Sequence, residues 1–490
     1  MNNLSTALLS LRRKRLVLAT CCMSLLMVSM DVTIVNVALP SIRLAFGASV
    51  SALQWSVDGY TVVVASFLML AGSTGDRFGR RGTFQAGLVL FSVGSLLCSL
   101  APSIATLVVF RMVQALGGAM LNPVAMAIIV NTFTEPRERA QAIGTWSAVF
   151  GVSMALGPIV GGALTQSFGW RSIFWINVPI GALALVLTAR LVPESRAASV
   201  RRFDGPGQAL VVIGLGALTC GIIEGPRAGW SSPLIVGAFV VAAAAAIRLV
   251  VAESQRREPL IDLRFFRSAT FASATLLAIL SFSAFSAFLF LNSLYLQEVR
   301  HLSALHAGLC TLPLALAVIA FAPVSGRLAG RGRPRLALLA AGASLAMGAL
   351  ALTRMDATTA LPWLLGAYAI FGVGIGMVNA PITNNAVSGM PRAQAGVASA
   401  VASTSRQVGA TLGVAFAGSI VGSAMHGARS VGFAAATHLV WWLLVGCGVL
   451  VAVIGFASTS AWAAATARRI AYMLDEPASR VDDDPVAVTP

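Results

Sequence analysis

The sequence predicts an all-α integral membrane protein of fourteen transmembrane helices, two six-helix bundles with two helices inserted between them. Three observations carry this reading. Of 490 residues, 57% are hydrophobic and only 11% charged. A soluble domain carries about 25% charged residues, so this chain has too few to cover a water-facing surface. Apolar runs recur at the length a bilayer-spanning helix needs, about 20 residues. Lysine and arginine fall on alternate sides of these runs. Together these features exclude a soluble enzyme, a disordered tail protein and a secreted disulfide scaffold.

The apolar segments cover 16–40, 54–75, 82–101, 104–130, 141–165, 171–192, 206–226, 231–252, 270–296, 303–328, 334–354, 361–388, 395–423 and 436–464. They are continuous and rich in Ala, Leu and Gly, without the short alternation of barrel strands. The first follows Arg12, Arg13, Lys14 and Arg15, as a signal peptide would. It contains Asp31 and no small-residue cleavage site, so it reads as a membrane helix and not a cleaved leader. The longest hydrophilic stretches, 193–205 and 253–269, bracket spans seven and eight. The expected units are therefore an N-terminal bundle over 1–192, an inserted pair over 193–269, a C-terminal bundle over 270–465 and a disordered cytoplasmic tail over 466–490.

With both termini in the cytoplasm, the inner segments hold 26 of the 34 basic residues and the outer loops six; Arg111 and Arg406 lie within spans. This is the positive-inside pattern of a multi-pass protein of the cytoplasmic (inner) membrane. It accounts for the net charge of +16 without nucleic acid as a partner. Cys21, Cys22, Cys98, Cys220, Cys310 and Cys447 all sit in apolar runs and read as small buried hydrophobes. No HExxH and no phosphate-binding GxxxxGK[ST] is present, so no metal, cofactor or ATP hydrolysis is called for.

The loop Gly72-x-x-x-Asp76-Arg77-x-Gly79-Arg80-Arg81 joins spans two and three. Its glycines permit a tight turn, and Asp76 can pair with a basic side chain, a contact able to hold one conformation and break in another. Gly326 to Gly332 occupies the same place after span ten, also short, basic and glycine-bearing. Repeated halves are how transporters build a site at mid-membrane.

Charges inside the membrane are expensive and mark function by default. Asp31 in span one and Asp58 in span two both fall in the outer half, where they could share a cavity and carry a proton or bind a cation. The alternative is a structural acid bonded to a neighbouring helix or, for Asp58, an interfacial residue. Glu224 lies near the outer surface. Arg111 in span four stays charged and needs an acidic, polar or water-filled partner. Arg406 in span thirteen faces the same choice. Asn379, Asn384 and Asn385 could line a cavity or bond between helices. In span five, Ser147, Gly151 and Ala155 lie four apart, as do Gly157 and Gly161, a face on which helices can approach closely. Pro158 can bend that segment.

The loop after span two resembles the loop motif of the major facilitator superfamily. Asp31-Val32-Thr33-Ile34-Val35-Asn36-Val37-Ala38-Leu39-Pro40 is similar to span one of its fourteen-span drug:proton antiporter branch. Arg111-x-x-Gln114-Ala115-x-Gly117-Gly118-Ala119 resembles the second motif of the family. Gly144, Gly151, Gly157-Pro158 and Gly161-Gly162 resemble the antiporter motif. Trp170 to Gly181 and Arg406-Gln407-Val408-Gly409 fit the same branch. Gly326 stands where an acid would sit in the second loop, and Ala115 replaces a usual glycine.

The resemblance implies a secondary active transporter. It would export small amphipathic or cationic drug-like compounds in exchange for protons, by alternating access. It also implies roles in coupling and substrate binding for Asp31, Asp58, Arg111 and Gln114. The expected partners are a small-molecule substrate, protons and membrane lipid, with a periplasmic adaptor protein as a further candidate. A dedicated exporter of one natural product or metabolite is the alternative. A lipid-modifying membrane enzyme or a channel is the least favoured reading. The topology is testable: a reporter active only outside the cytoplasm, fused after residue 466, should be silent. Strong activity there would require an odd number of spans.

Overall fold

The computed structural model describes residues 10–196, 204–256, 262–388, 390, 394–426 and 432–475, and these are all-helical apart from turns and linkers. The first bundle comprises α1 (Leu11–Phe46), α2 (Val50–Phe78), α3 (Arg80–Ser99), α4 (Ile104–Thr132), α5 (Pro136–Phe168), the short α6 (Ser172–Trp175) and α7 (Asn177–Leu191). The inserted pair is α8 (Gly205–Ala228) and α9 (Pro233–Ser254). The second bundle comprises α10 (Ala269–Leu294), α11 (Ala304–Cys310), α12 (Leu312–Gly330), α13 (Pro334–Leu352), α14 (Leu361–Val387), α15 (Ala395–His426) and α16 (Phe433–Ser458), with α17 (Ala461–Asp475) after it.

Local chemistry sets the ends of these helices. Ser10, Ser49, Ser103 and Ser232 accept hydrogen bonds from backbone N–H groups at the starts of α1, α2, α4 and α9. These are N-caps that satisfy otherwise orphaned donors. Among the described residues, thirteen helical segments are long and apolar enough to cross a membrane. Of the fourteen expected spans, the one outside that set is span thirteen, which corresponds to the 32-residue α15. Spans six and ten each arrive in two pieces, broken at Ile176 and Thr311. The expected tail also differs. Residues 466–475 belong to the amphipathic α17, whose Thr466 side chain accepts from the Ala269 N–H. The remaining tail residues lie outside the described ones.

The two bundles repeat one packing scheme. In the first, α1 packs on α5, α2 on α4, and α3 on α4 and α7. In the second, α10 packs on α15, α12 on α14, and α13 on α14 and α16. The seams between bundles follow the same symmetry, α2 against α15 and α5 against α11 and α12. The inserted pair breaks it: α8 leans on both α2 and α15 and so covers one seam only. Trp55 of α2 donates to Glu224 of α8 at 2.9 Å, which ties that acid to the inserted pair's contact with α2.

Contacts between bundles gather toward one end. Arg43 pairs with Glu298 at 2.6 Å, Ser293 donates to the Asn36 carbonyl at 2.5 Å, and Gln297 donates to the Val37 carbonyl at 2.8 Å. Gln54 donates to the Val414 and Ala415 carbonyls, and Thr61 hydrogen-bonds Thr411. At the end bearing the Asp76 loop, no hydrogen bond or ion pair between the bundles is found among the described residues. The bundles are thus clasped at the Arg43 end. Gly308 makes that clasp possible, because a Cβ there would run into the Pro158 carbonyl. Gly308→Val should cost the clasped arrangement about 1–3 kcal/mol through overpacking. The expected readout is increased labelling of a cysteine placed at Val37 by a membrane-impermeant maleimide, together with a lower Tm.

Candidate functional site

The first bundle holds a fully buried ionic network. Asp31 of α1 is 0% exposed and Arg111 of α4 is 2% exposed, and they pair at 2.5 Å. The second carboxylate oxygen of Asp31 accepts from Gln114 Nε2 at 2.8 Å and from Asn177 Nδ2 at 3.0 Å. Gln114 Oε1 accepts from Arg111 at 2.7 Å, and both amides donate to Ser95 Oγ, at 2.6 and 3.1 Å. Arg111 Nε donates to the Ser56 carbonyl at 3.3 Å. The guanidinium lies over the Tyr60 ring, 4.3 Å from its centroid, with Phe174 at 5.8 Å.

Each element contributes for a local reason. Arg111 and Gln114 are three apart on one helix and so share a face. Gly94 lets α4 approach α3, since a Cβ there would stand 2.5 Å from Gln114 Cα. The break before Asn177 starts α7 at the level of the network. Two opposite charges in a dry interior persist only when their remaining hydrogen-bonding capacity is also met, and here the Gln114 and Asn177 side chains and the Ser56 carbonyl meet it, with Ser95 holding the two amides.

Asp58 stands apart from this network. It is 0% exposed, and neither carboxylate oxygen has a hydrogen-bond partner. Helical spacing puts it on one face with Gln54 and Thr61, both bonded to α15. Asp58 therefore faces the seam between bundles, and it shares no hydrogen-bond partner with Asp31.

The loop after α2 closes on itself and on the chain after α7. Asp76 accepts from Arg80 Nε and Nη2 at 3.2 and 2.9 Å. Gly79 turns the chain at φ +111° and has no side chain to cap α3. Glu194 supplies the cap, accepting from the Arg81 and Gly82 N–H groups at 3.1 and 3.4 Å. Arg81 reaches the Ala189 carbonyl at 2.8 Å, and the Arg77 guanidinium lies over Phe78. Gly72 is in ordinary contact with Pro123 of α4. The second loop turns through Gly332 at φ +72°, and no side chain caps α13.

The glycines of α5 divide into two groups. Gly157 and Gly161 press on α1, where a Cβ would meet Thr33 and Ile34, and Gly162 presses on the Ala304 carbonyl. Gly144 faces open space and Gly151 makes only ordinary contact with Ile319. The side chains of Ser147 and Ala155 lie outside the described residues. The helix runs unbroken through Pro158. None of the asparagines of α14 hydrogen-bonds Arg406 among the described residues. Asn384 and Asn385 line a cavity of about 410 Å³ at the loop-bearing end, with Arg333, Arg335, Ser388 and Thr459. Asn379 offers its carbonyl to Thr383 at 3.3 Å. Arg406 donates to Thr383 and Ser403.

Sequence reasoning did not single out Ser95, Tyr60 or Glu194, and gave Asn177 no role. The available signal was a polar residue inside an apolar run for Ser95 and Asn177. Glu194 showed none, since an acid in a linker is ordinary.

Residues 21–414 match the Major Facilitator Superfamily. The chain belongs to the major facilitator superfamily. Among relatives, it is 37% identical to the multidrug resistance protein Stp of Mycobacterium tuberculosis over 84% of this chain and 76% of that one. It is 34% identical to the methylenomycin A resistance protein of Streptomyces coelicolor, over 82% and 85% of the two chains. Among solved structures, the D-xylose-proton symporter superposes with a TM-score of 0.64 at 14% identity, over 90% of this chain and 97% of that one. As a member of the superfamily, the protein is a multi-pass membrane transporter of small molecules and not an enzyme. No group of three potential metal ligands occurs among the described residues. Glu194→Gln should weaken the cap on α3 by about 1 kcal/mol and loosen the loop without blocking insertion. Asp76→Asn should keep expression and impair transport, because a neutral side chain cannot hold the charge-assisted bond to Arg80. Wild-type turnover in Asp76→Asn would reduce the loop charges to topology signals.

Proposed function

We propose that the protein exports small amphipathic or cationic drug-like compounds across the cytoplasmic membrane in exchange for protons, with both termini in the cytoplasm. One observation carries the coupling: the Asp31–Arg111 pair, sealed in the first bundle among neutral hydrogen-bond partners. Protonation of Asp31 would leave Arg111 buried without a counter-charge. Breaking a buried pair in this way costs about 3–5 kcal/mol, unless the surroundings rearrange. A proton arriving at Asp31 thereby favours a different arrangement of α1 and α4. Because α1 packs on α5, and α5 forms the seam with α11 and α12, that rearrangement reaches the clasp between bundles.

Asp58 supplies a second acid of a different kind. Its carboxylate is buried on the helix face turned to the seam, outside the Asp31 network, which supports a role in receiving a proton or a cationic substrate once the seam opens. The asymmetry supports coupling at Asp31 and recognition of substrate charge at Asp58. Resistance and efflux proteins among the relatives support export as the direction. The names of those relatives include both multidrug and single-compound resistance, which also keeps a dedicated exporter of one natural product in view. Membrane lipid surrounds the bundle. A periplasmic adaptor protein would join it only in an envelope with two membranes.

Asp31→Asn keeps the shape of the side chain and removes its titration. Purified Asp31→Asn should release no protons on addition of a transported compound and should lose uphill efflux, while inserting normally. Asp58→Asn should show a milder, compound-dependent defect. Proton release from Asp31→Asn equal to that of the parent would overturn the coupling assignment. A susceptibility panel in an efflux-deficient host, with and without the gene, separates a multidrug range from a single compound.

A further inference from the structure

Arg406 lies near the middle of α15, where a guanidinium needs a counter-charge. Its two terminal nitrogens donate to hydroxyls only, Nη2 to Thr383 Oγ1 at 2.6 Å and Nη1 to Ser403 Oγ at 3.2 Å. Its Nε has no hydrogen-bond partner. Among the described residues, no carboxylate forms an ion pair with it. The other membrane-embedded acids are placed elsewhere: Asp31 on Arg111, Glu224 on Trp55, and Asp58 across on α2. Arg111 and Arg406 are thus opposite cases. One is fully neutralised within its own bundle, and the other keeps its charge.

Hydroxyl acceptors satisfy donors and cancel no charge. An unneutralised cation at membrane depth is costly, and proteins retain such groups for function. The surroundings are shaped for a ligand. Thr383 of α14 is exposed, so the hydroxyl end of the cluster is accessible, and the Phe282 ring of α10 lies 6.0 Å from the guanidinium. Three helices of the second bundle thus present a cation, hydroxyls and an aromatic face together. A planar guanidinium with a free Nε matches an oxyanion better than an isolated acceptor.

We infer that Arg406, with Thr383 and Phe282, forms a subsite for an acidic group. It places small aromatic or apolar compounds bearing a carboxylate, or a comparable monoanionic oxygen group, among the transported substrates. This rests on the transport reading of the cavity and adds anionic compounds to the cationic ones that Asp58 favours. A zwitterion would satisfy both residues across the seam.

The test compares two probes sharing one ring system, pyrenebutyrate and pyrenebutyltrimethylammonium, by equilibrium binding to the purified full chain. The parent should bind pyrenebutyrate. Arg406→Gln should weaken that binding by at least about tenfold, the size of one charge-assisted hydrogen bond, without lowering affinity for the cation. Arg406→Lys should retain most of the anion binding, because the charge is kept. Circular dichroism and size-exclusion profiles matching the parent exclude misfolding. Failure of the parent to bind pyrenebutyrate would overturn the inference. Equal anion affinity in parent and Arg406→Gln would overturn it too, as would an equal loss for both probes. Binding requires no proton gradient, so these outcomes are independent of proton release by Asp31.

Discussion

The Asp31–Arg111 pair is the constraint on which the first bundle depends. A buried carboxylate and guanidinium are tolerable only together and only when fully hydrogen-bonded. That requirement draws in α3 through Ser95, α7 through Asn177 and α2 through the Ser56 carbonyl. Five helices are thereby pinned at one level of the membrane. In lipid, apolar surface drives helices together far less than it does in water, so packing of small residues and polar contacts must specify the arrangement. Gly94 serves this need directly by letting α4 come close enough for Gln114 to reach Ser95.

The two bundles share a packing plan but not a charge plan. The first neutralises its arginine internally and leaves an acid, Asp58, facing the seam. The second leaves an arginine, Arg406, with hydroxyl partners and no carboxylate partner among the described residues. The loops show the same divergence. The first is closed by Asp76, Arg80 and the Glu194 cap, whereas the second lacks an acid at Gly326 and a side-chain cap on α13. Duplicated halves that keep backbone geometry while exchanging charges give a transporter unlike surfaces on the two sides of one cavity. The inserted pair adds a further asymmetry, since α8 bridges α2 and α15 on one seam and no equivalent helix among the described residues bridges α5 and α11.

The clasp at the Arg43 end relates the site to movement. Its direct contacts are a salt bridge, four hydrogen bonds to backbone carbonyls, the Thr61–Thr411 hydrogen bond and glycine-mediated helix approach. A half-exposed pair such as Arg43–Glu298 contributes little by itself, about 0–1 kcal/mol. Close backbone packing at Gly162 and Gly308 is the larger part of the contact, and it is all-or-none in character. This combination suits a seam that opens and reseals, because weak polar contacts separate readily while the glycine surfaces restore one geometry on closing.

Much of this protein was legible in the sequence, for a simple reason: in a bilayer every backbone group must be satisfied within its own segment. Length and hydropathy therefore set the helices, arginine placement argued for the topology, and the repeated basic loop announced the duplicated halves. Asp31, Asp58, Arg111 and Arg406 stood out because charge in an apolar run is rare. The pairing among them was not legible. That Arg111 answers Asp31 from 80 positions away, that Asp58 faces the seam, and that Arg406 answers no acid among the described residues follow from which helix faces meet. Helix rotation and crossing are set by side-chain packing between segments distant in sequence, and no local pattern encodes them. The breaks in spans six and ten, the helix running on to Asp475 and the capping by Glu194 were likewise decided only when the folded neighbours were in place.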